Sequence, residues 1–114
     1  MKNVAVIGSG SWGTALAIIL TKYDHQVKIW ARSQAAVDEI NSKHTNEKYL
    51  PGVTLPETLT ATTDRTSALE GAEIVISAVP SRAVRQTMTD FAPYFKPGTV
   101  IVNVAKGLED GSLL

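Results

Sequence analysis

The apolar run Val4-Ala5-Val6-Ile7 gives way abruptly to Gly8-Ser9-Gly10-Ser11-Trp12-Gly13, and a segment with helical spacing begins at once. A parallel strand that turns through small residues into a helix presents the helix's unpaired N–H groups, and its partly positive end, to whatever lies above. A pyrophosphate fits there. In this pattern Gly8 permits the tight turn, Gly10 lets phosphates approach the backbone, and Gly13 lets the helix pack closely on its strand.

Strand and helix signals alternate from the first residues to about Val104, which predicts an α/β fold with a mainly parallel sheet. The first strand is expected near Asn3 to Ile7. Its helix carries a stripe of Trp12, Ala15, Leu16, Ile19, Leu20 and Tyr23, expected to face the sheet. Val27-Lys28-Ile29-Trp30 reads as the second strand, and Ser33 caps a helix with Ala36, Val37 and Ile40 buried, ending near Ser42. A long loop with Pro51-Gly52 and Pro56 runs from Asn46 to Glu57. A weak strand at 58–62, a short helix at 66–69 and an apolar strand at 74–79 follow. Ser81 to Phe91 is the next helix, with Val84, Met88 and Phe91 on one face, and 99–104 the last strand. Right-handed crossovers give the order 3-2-1-4-5, a doubly wound Rossmann-type sheet in a single three-layer domain over residues 1–114. The switch point between strands 1 and 4 sets the glycine loop beside Ala78-Val79-Pro80-Ser81 at the carboxyl rim. Lys106 belongs to the same rim, two strand spacings or ~10 Å away.

Composition removes several alternatives. The 114 residues carry eleven basic and eleven acidic side chains without a basic stripe, so no nucleic-acid partner is expected. The absence of cysteine excludes a disulfide framework and a thiolate metal ligand or nucleophile, and two histidines are too few for a metal cluster. His25 and His44 read as solvated turn residues. The N-terminal apolar run is too short for a signal peptide or a membrane span, which favours a cytoplasmic protein.

An NAD site usually places Asp or Glu at the tip of the second strand to accept from the ribose hydroxyls. Here the tip reads Trp30-Ala31-Arg32-Ser33, and the nearest acids, Asp24 and Asp38, fall before the strand and inside the next helix. A guanidinium with a hydroxyl beside it suits a 2′-phosphate, so NADP(H) is the expected cofactor, with NAD(H) as the alternative. Trp12 admits two readings, a core aromatic or a member of the phosphate loop. Ser11 is expected both to cap the helix and to donate to phosphate. Ser81 and Arg82 are candidates for the nicotinamide pocket, although Ser81 equally suits a plain N-cap. Glu109 and Asp110 offer a carboxylate base as one reading, but followed by Gly111 they read more simply as a polar turn.

These residues together resemble the N-terminal domain of bacterial-type NAD(P)-dependent glycerol-3-phosphate dehydrogenase over essentially the whole chain. The resemblance is carried by the run from Gly8 to Ala17, by Tyr49-Leu50-Pro51-Gly52 with Leu55-Pro56, by Ala78-Val79-Pro80-Ser81 and by Lys106-Gly107-Leu108-Glu109. It implies reversible hydride transfer between glycerol 3-phosphate and dihydroxyacetone phosphate, in the synthesis of phospholipid precursors. It places Ser11, Trp12, Arg32, Ser33, Tyr49 and Lys106 in or near the cofactor site, with Lys106 also touching substrate. Tyr49 equally suits an anchor from the long loop into the core.

In that family a helical domain follows and supplies the proton-transfer lysine and the groups that hold the substrate phosphate. Ketone reduction needs a proton donor as well as a hydride donor, and no residue here fills that role. The expectation is a fragment that binds nucleotide without turnover and contains no catalytic residue of its own. A homodimer is compatible with the sequence. Two other readings stay open: the cofactor domain of another 2-keto or 3-hydroxy acid reductase, and a non-catalytic nucleotide-sensing module.

Overall fold

A computed structural model describes residues 2–79 and 81–104. Five strands, β1 (Asn3–Ile7), β2 (Gln26–Trp30), β3 (Thr60–Thr62), β4 (Ile74–Ser77) and β5 (Val100–Asn103), form one parallel sheet in the order β3-β2-β1-β4-β5. The expected strand order is therefore the observed one. Helices α1 (Ser11–Lys22), α2 (Gln34–Asp38), α3 (Arg65–Leu69) and α4 (Ser81–Phe91) make the connections.

Successive side chains of a strand point to opposite faces, and a parallel sheet covered on both sides needs apolar residues on each. In β1, Val4 and Val6 join Val27, Ile29, Val37 and Ile40 in one apolar layer. Ala5 and Ile7 join Trp30, Leu69, Val75 and Phe91 in the other. Trp30 meets Phe91 edge to face, with ring centroids 5.0 Å apart, so the second strand is pinned to α4. Ile7 lies opposite Trp30 on one side and Ser77 on the other, and the residues after all three come out together at the carboxyl rim.

The buried face of α1 differs from the expected stripe. Gly13, Thr14 and Ala17 are its buried residues, while Ile19 is 50% and Tyr23 74% exposed. Small side chains win because α1 approaches the glycine loop too closely for large ones. The larger apolar residues rotate outward, with Leu20 alone of the expected stripe packing against the core beside Ile18.

The helix begun at Gln34 continues through a π-helical turn, Glu39–Lys43, and stops at His44, whose φ of 55° is left-handed. Ser33 caps it as expected, its hydroxyl accepting from the Ala36 N–H at 3.3 Å. In the π turn the Asn41 amide pairs with both polar groups of Ala61 on β3, donating to its carbonyl at 3.0 Å and accepting from its N–H at 2.8 Å. An edge strand thereby gains partners that a neighbouring strand would otherwise supply. β3 starts only at Thr60 because the Leu59 N–H turns back to the Pro56 carbonyl, and β4 ends at Ser77 rather than Val79 as the chain swings toward α4.

Candidate functional site at the carboxyl rim

The glycine loop is shaped by two close approaches. Gly8 has a φ of +117°, and a β-carbon on it would lie 3.1 Å from the Ala78 carbonyl oxygen. A β-carbon on Gly13 would lie 2.7 Å from the Gly8 carbonyl oxygen and 3.1 Å from the Ala78 β-carbon. Gly10 is the opposite case, for a β-carbon there would meet nothing within 4 Å. The loop is thus tight against Ala78, just past the end of β4, and open at Gly10, at the N-terminus of a helix whose first turn holds no acidic residue. Its shape and polarity fit an anionic pyrophosphate.

Gly10, not Ser11, is the N-cap of α1, with extended backbone and no side-chain cap bond. The expected capping by Ser11 fails because Ser11 already lies inside the helix, and its hydroxyl donates instead to the Tyr49 carbonyl at 3.0 Å. Trp12 is half-buried and joins neither apolar layer, so its reading as a core aromatic is not supported. Tyr49 is 41% exposed with Lys48 Nζ 5.3 Å from its ring centroid, which rules out the core-anchor reading.

Sequence reasoning missed the residue that joins this loop to the glycines. Asn46 is a buried polar side chain whose Nδ2 donates to the Ser9 carbonyl at 2.8 Å and to Thr14 Oγ1 at 2.9 Å. Its partners stand 37 and 32 positions away, so no local pattern announces the contact. Around it, the Glu39 carboxylate accepts from the Thr45 hydroxyl and the Glu47 N–H, both at 2.8 Å. Those bonds, the Glu47 amide first, hold the Glu39 carboxyl below its ordinary pKa.

At the tip of β2, exposed Arg32 lines a cleft of about 470 Å³ with Trp30, Thr63, Arg65, Gln86, Thr87, Asp90 and Phe91. Arg65 is the second residue that the sequence did not single out. Its guanidinium lies 5.7 Å from the Trp30 ring centroid and 5.6 Å from that of Phe91, and it pairs with Asp90 at 3.8 Å. Ser33 is spent as the cap of α2, and Ser81 and Arg82 are the first two residues of α4. Pro80, Lys106, Glu109 and Asp110 lie outside the described residues. His25 and His44 are half-buried rather than solvated, and His25 Nδ1 accepts from the Lys2 N–H at 3.1 Å. Among the described residues no cluster of three or more His, Asp or Glu side chains is arranged for a metal, and no helix is long and apolar enough to cross a membrane.

Residues 3–114 match the family described as NAD-dependent glycerol-3-phosphate dehydrogenase N-terminus. The chain belongs to that family. Its relatives include a glycerol-3-phosphate dehydrogenase [NAD(P)+] of Bacillus velezensis, 44% identical over 114 residues, which are 100% of this chain and 33% of the relative. One from Geobacillus kaustophilus is 46% identical over 112 residues, 98% of this chain and 33% of the relative. The chain thus spans about a third of the length of these dehydrogenases. The crystal structure of glycerol-3-phosphate dehydrogenase from Coxiella burnetii superposes with a TM-score of 0.84 at 36% identity, covering 93% of this chain and 34% of that one. The family description names NAD as cofactor, and the relatives' names give NAD(P)+.

Proposed function

We propose that this chain is the cofactor-binding half of a cytoplasmic oxidoreductase that interconverts dihydroxyacetone phosphate and sn-glycerol 3-phosphate, with NADP(H) preferred. The observation that carries the dinucleotide reading is the glycine loop, closed against Ala78 at Gly8 and Gly13 and open at Gly10. The N–H groups of Gly10, Ser11, Trp12 and Gly13 at the start of α1 hold the pyrophosphate, while Gly8, whose own N–H donates to the Trp30 carbonyl at 2.8 Å, shapes the turn beneath it. Arg32, in a cleft shared with a second guanidinium, takes the 2′-phosphate end, with Ser33 beside it. Tyr49 and Pro80 border the cofactor, and Lys106 contacts both cofactor and substrate. When bound, the nicotinamide supplies hydride to the substrate carbonyl. The role of Lys106 is to neutralise substrate charge near that carbonyl. The proton donor comes from the part of the relatives' length that this chain does not span.

The experiment is a fluorescence titration of the full-length protein with NADPH and NADH, followed by NADPH oxidation in the presence of dihydroxyacetone phosphate. Saturable binding of both, tighter for NADPH, with dihydroxyacetone phosphate reduced, is the expected result. Turnover of a 2-keto acid in place of dihydroxyacetone phosphate would overturn the substrate assignment. Binding of neither dinucleotide would overturn the cofactor assignment as well.

A further inference from the structure

We propose that Asn46 is a positioning residue for the dinucleotide pyrophosphate, acting by fixing the orientation of the peptide unit between Ser9 and Gly10. This rests on the dinucleotide reading above. Asn46 is 3% exposed, and both hydrogens of its amide nitrogen are used, one on the Ser9 carbonyl at 2.8 Å and one on Thr14 Oγ1 at 2.9 Å. Thr14, fully buried, donates to the same Ser9 carbonyl at 3.2 Å. Two donors from different elements therefore hold one carbonyl oxygen toward the protein. A trans peptide unit carries its C=O and the following N–H on opposite sides, and no peptide bond among the described residues is cis. Holding the Ser9 carbonyl toward Asn46 and Thr14 consequently turns the Gly10 N–H to the opposite side, away from both, which is the side from which the pyrophosphate approaches in this proposal.

The arrangement has a chemical requirement that only a donor side chain meets. A carboxylate at position 46 would set an acceptor against the Ser9 carbonyl, repelling the oxygen that the amide now attracts. Asn46 is itself anchored, because its carbonyl accepts from the N–H groups of Leu50 at 2.8 Å and Tyr49 at 3.2 Å. The Ser11 hydroxyl then ties the start of α1 to the Tyr49 carbonyl, so the long loop grips the glycine loop on both sides of Gly10.

The test compares dissociation constants for NADH and NADPH, and unfolding temperatures, in full-length parent, Asn46→Asp, Thr14→Val and Thr14→Ser. Asn46→Asp is expected to weaken both dinucleotides equally, on the order of ten-fold or more, since the pyrophosphate is common to both. Thr14→Val removes the second donor and shifts both affinities in the same direction. Thr14→Ser restores the hydroxyl and is expected to recover affinity relative to Thr14→Val while remaining less heat-stable than the parent. A purely structural role would lower unfolding temperatures and leave affinity below them unchanged, so folded Asn46→Asp with parental affinity overturns the proposal. If Asn46→Asp does not fold, the two Thr14 variants decide, and equal affinity in both overturns it. A parent that binds neither dinucleotide overturns this inference together with the cofactor assignment, whereas a binding parent with indifferent variants overturns this inference alone.

Discussion

Gly13 stands so near Gly8 that a β-carbon on it would lie 2.7 Å from the Gly8 carbonyl oxygen, inside any tolerable contact. The obstacle is backbone, which cannot swing aside like the end of a side chain. Gly13→Ala is therefore expected to push α1 off the sheet and to destabilise the domain by about 1–3 kcal/mol, the usual range for overpacking. Urea unfolding of the variant measures this directly, and an unchanged midpoint would contradict the close approach.

Arg32 and Arg65 share one cleft, and among the described residues Arg65 pairs with Asp90 while Arg32 makes no ion pair. Arg32→Ala is expected to weaken NADPH by roughly ten-fold or more, the scale of a lost charge-assisted contact, and to leave NADH nearly unchanged. Titration with both cofactors checks it. Equal losses would mean that Arg32 serves the adenine or nothing specific.

Ser77 is fully buried in β4, and its hydroxyl has no hydrogen-bond partner among the described residues. A buried unsatisfied hydroxyl costs free energy without return. Ser77→Ala should accordingly be neutral or stabilising, by up to about 1 kcal/mol. Thermal unfolding of the variant reads the sign, and a clear loss of stability would show that the hydroxyl has a partner.

The Glu39 carboxyl is held below its ordinary pKa by the Glu47 N–H first and the Thr45 hydroxyl second. A folded-state pKa lower than the unfolded one contributes stability above the unfolded value, ~4.3, and loses it as pH falls through the folded value. Glu39→Gln should be less stable than the parent near neutral pH and converge with it in acid below that window. Denaturation midpoints measured across this range test the sign, and a gap that widens in acid would reverse it.

Much of the scaffold was legible because it follows from local patterns. The apolar run into Gly8, the capping by Ser33 and the helix ending at Phe91 each depend on neighbours in sequence. Strand order followed from the handedness of crossovers. The buried face of α1 was misread because periodicity finds the larger apolar residues, whereas a helix pressed against a backbone turn must bury small ones, here Gly13, Thr14 and Ala17. The cap of that helix was misplaced by one residue for a related reason. Ser11 has the chemistry of a cap, but the extended backbone needed at that position falls on Gly10.

The sequence by itself determined the fold class, the order of the strands and the presence of a glycine loop at a helix start, since each is written in residues that are close along the chain. Only the tertiary structure decided which side chains shape that loop. Asn46 reaches Ser9 across 37 positions, and Arg65 reaches Trp30, Phe91 and Asp90 from a different crossover. Such contacts exist because folding brings separate loops to the same rim, and hydrogen bonds between distant residues leave no periodic trace in the chain that makes them.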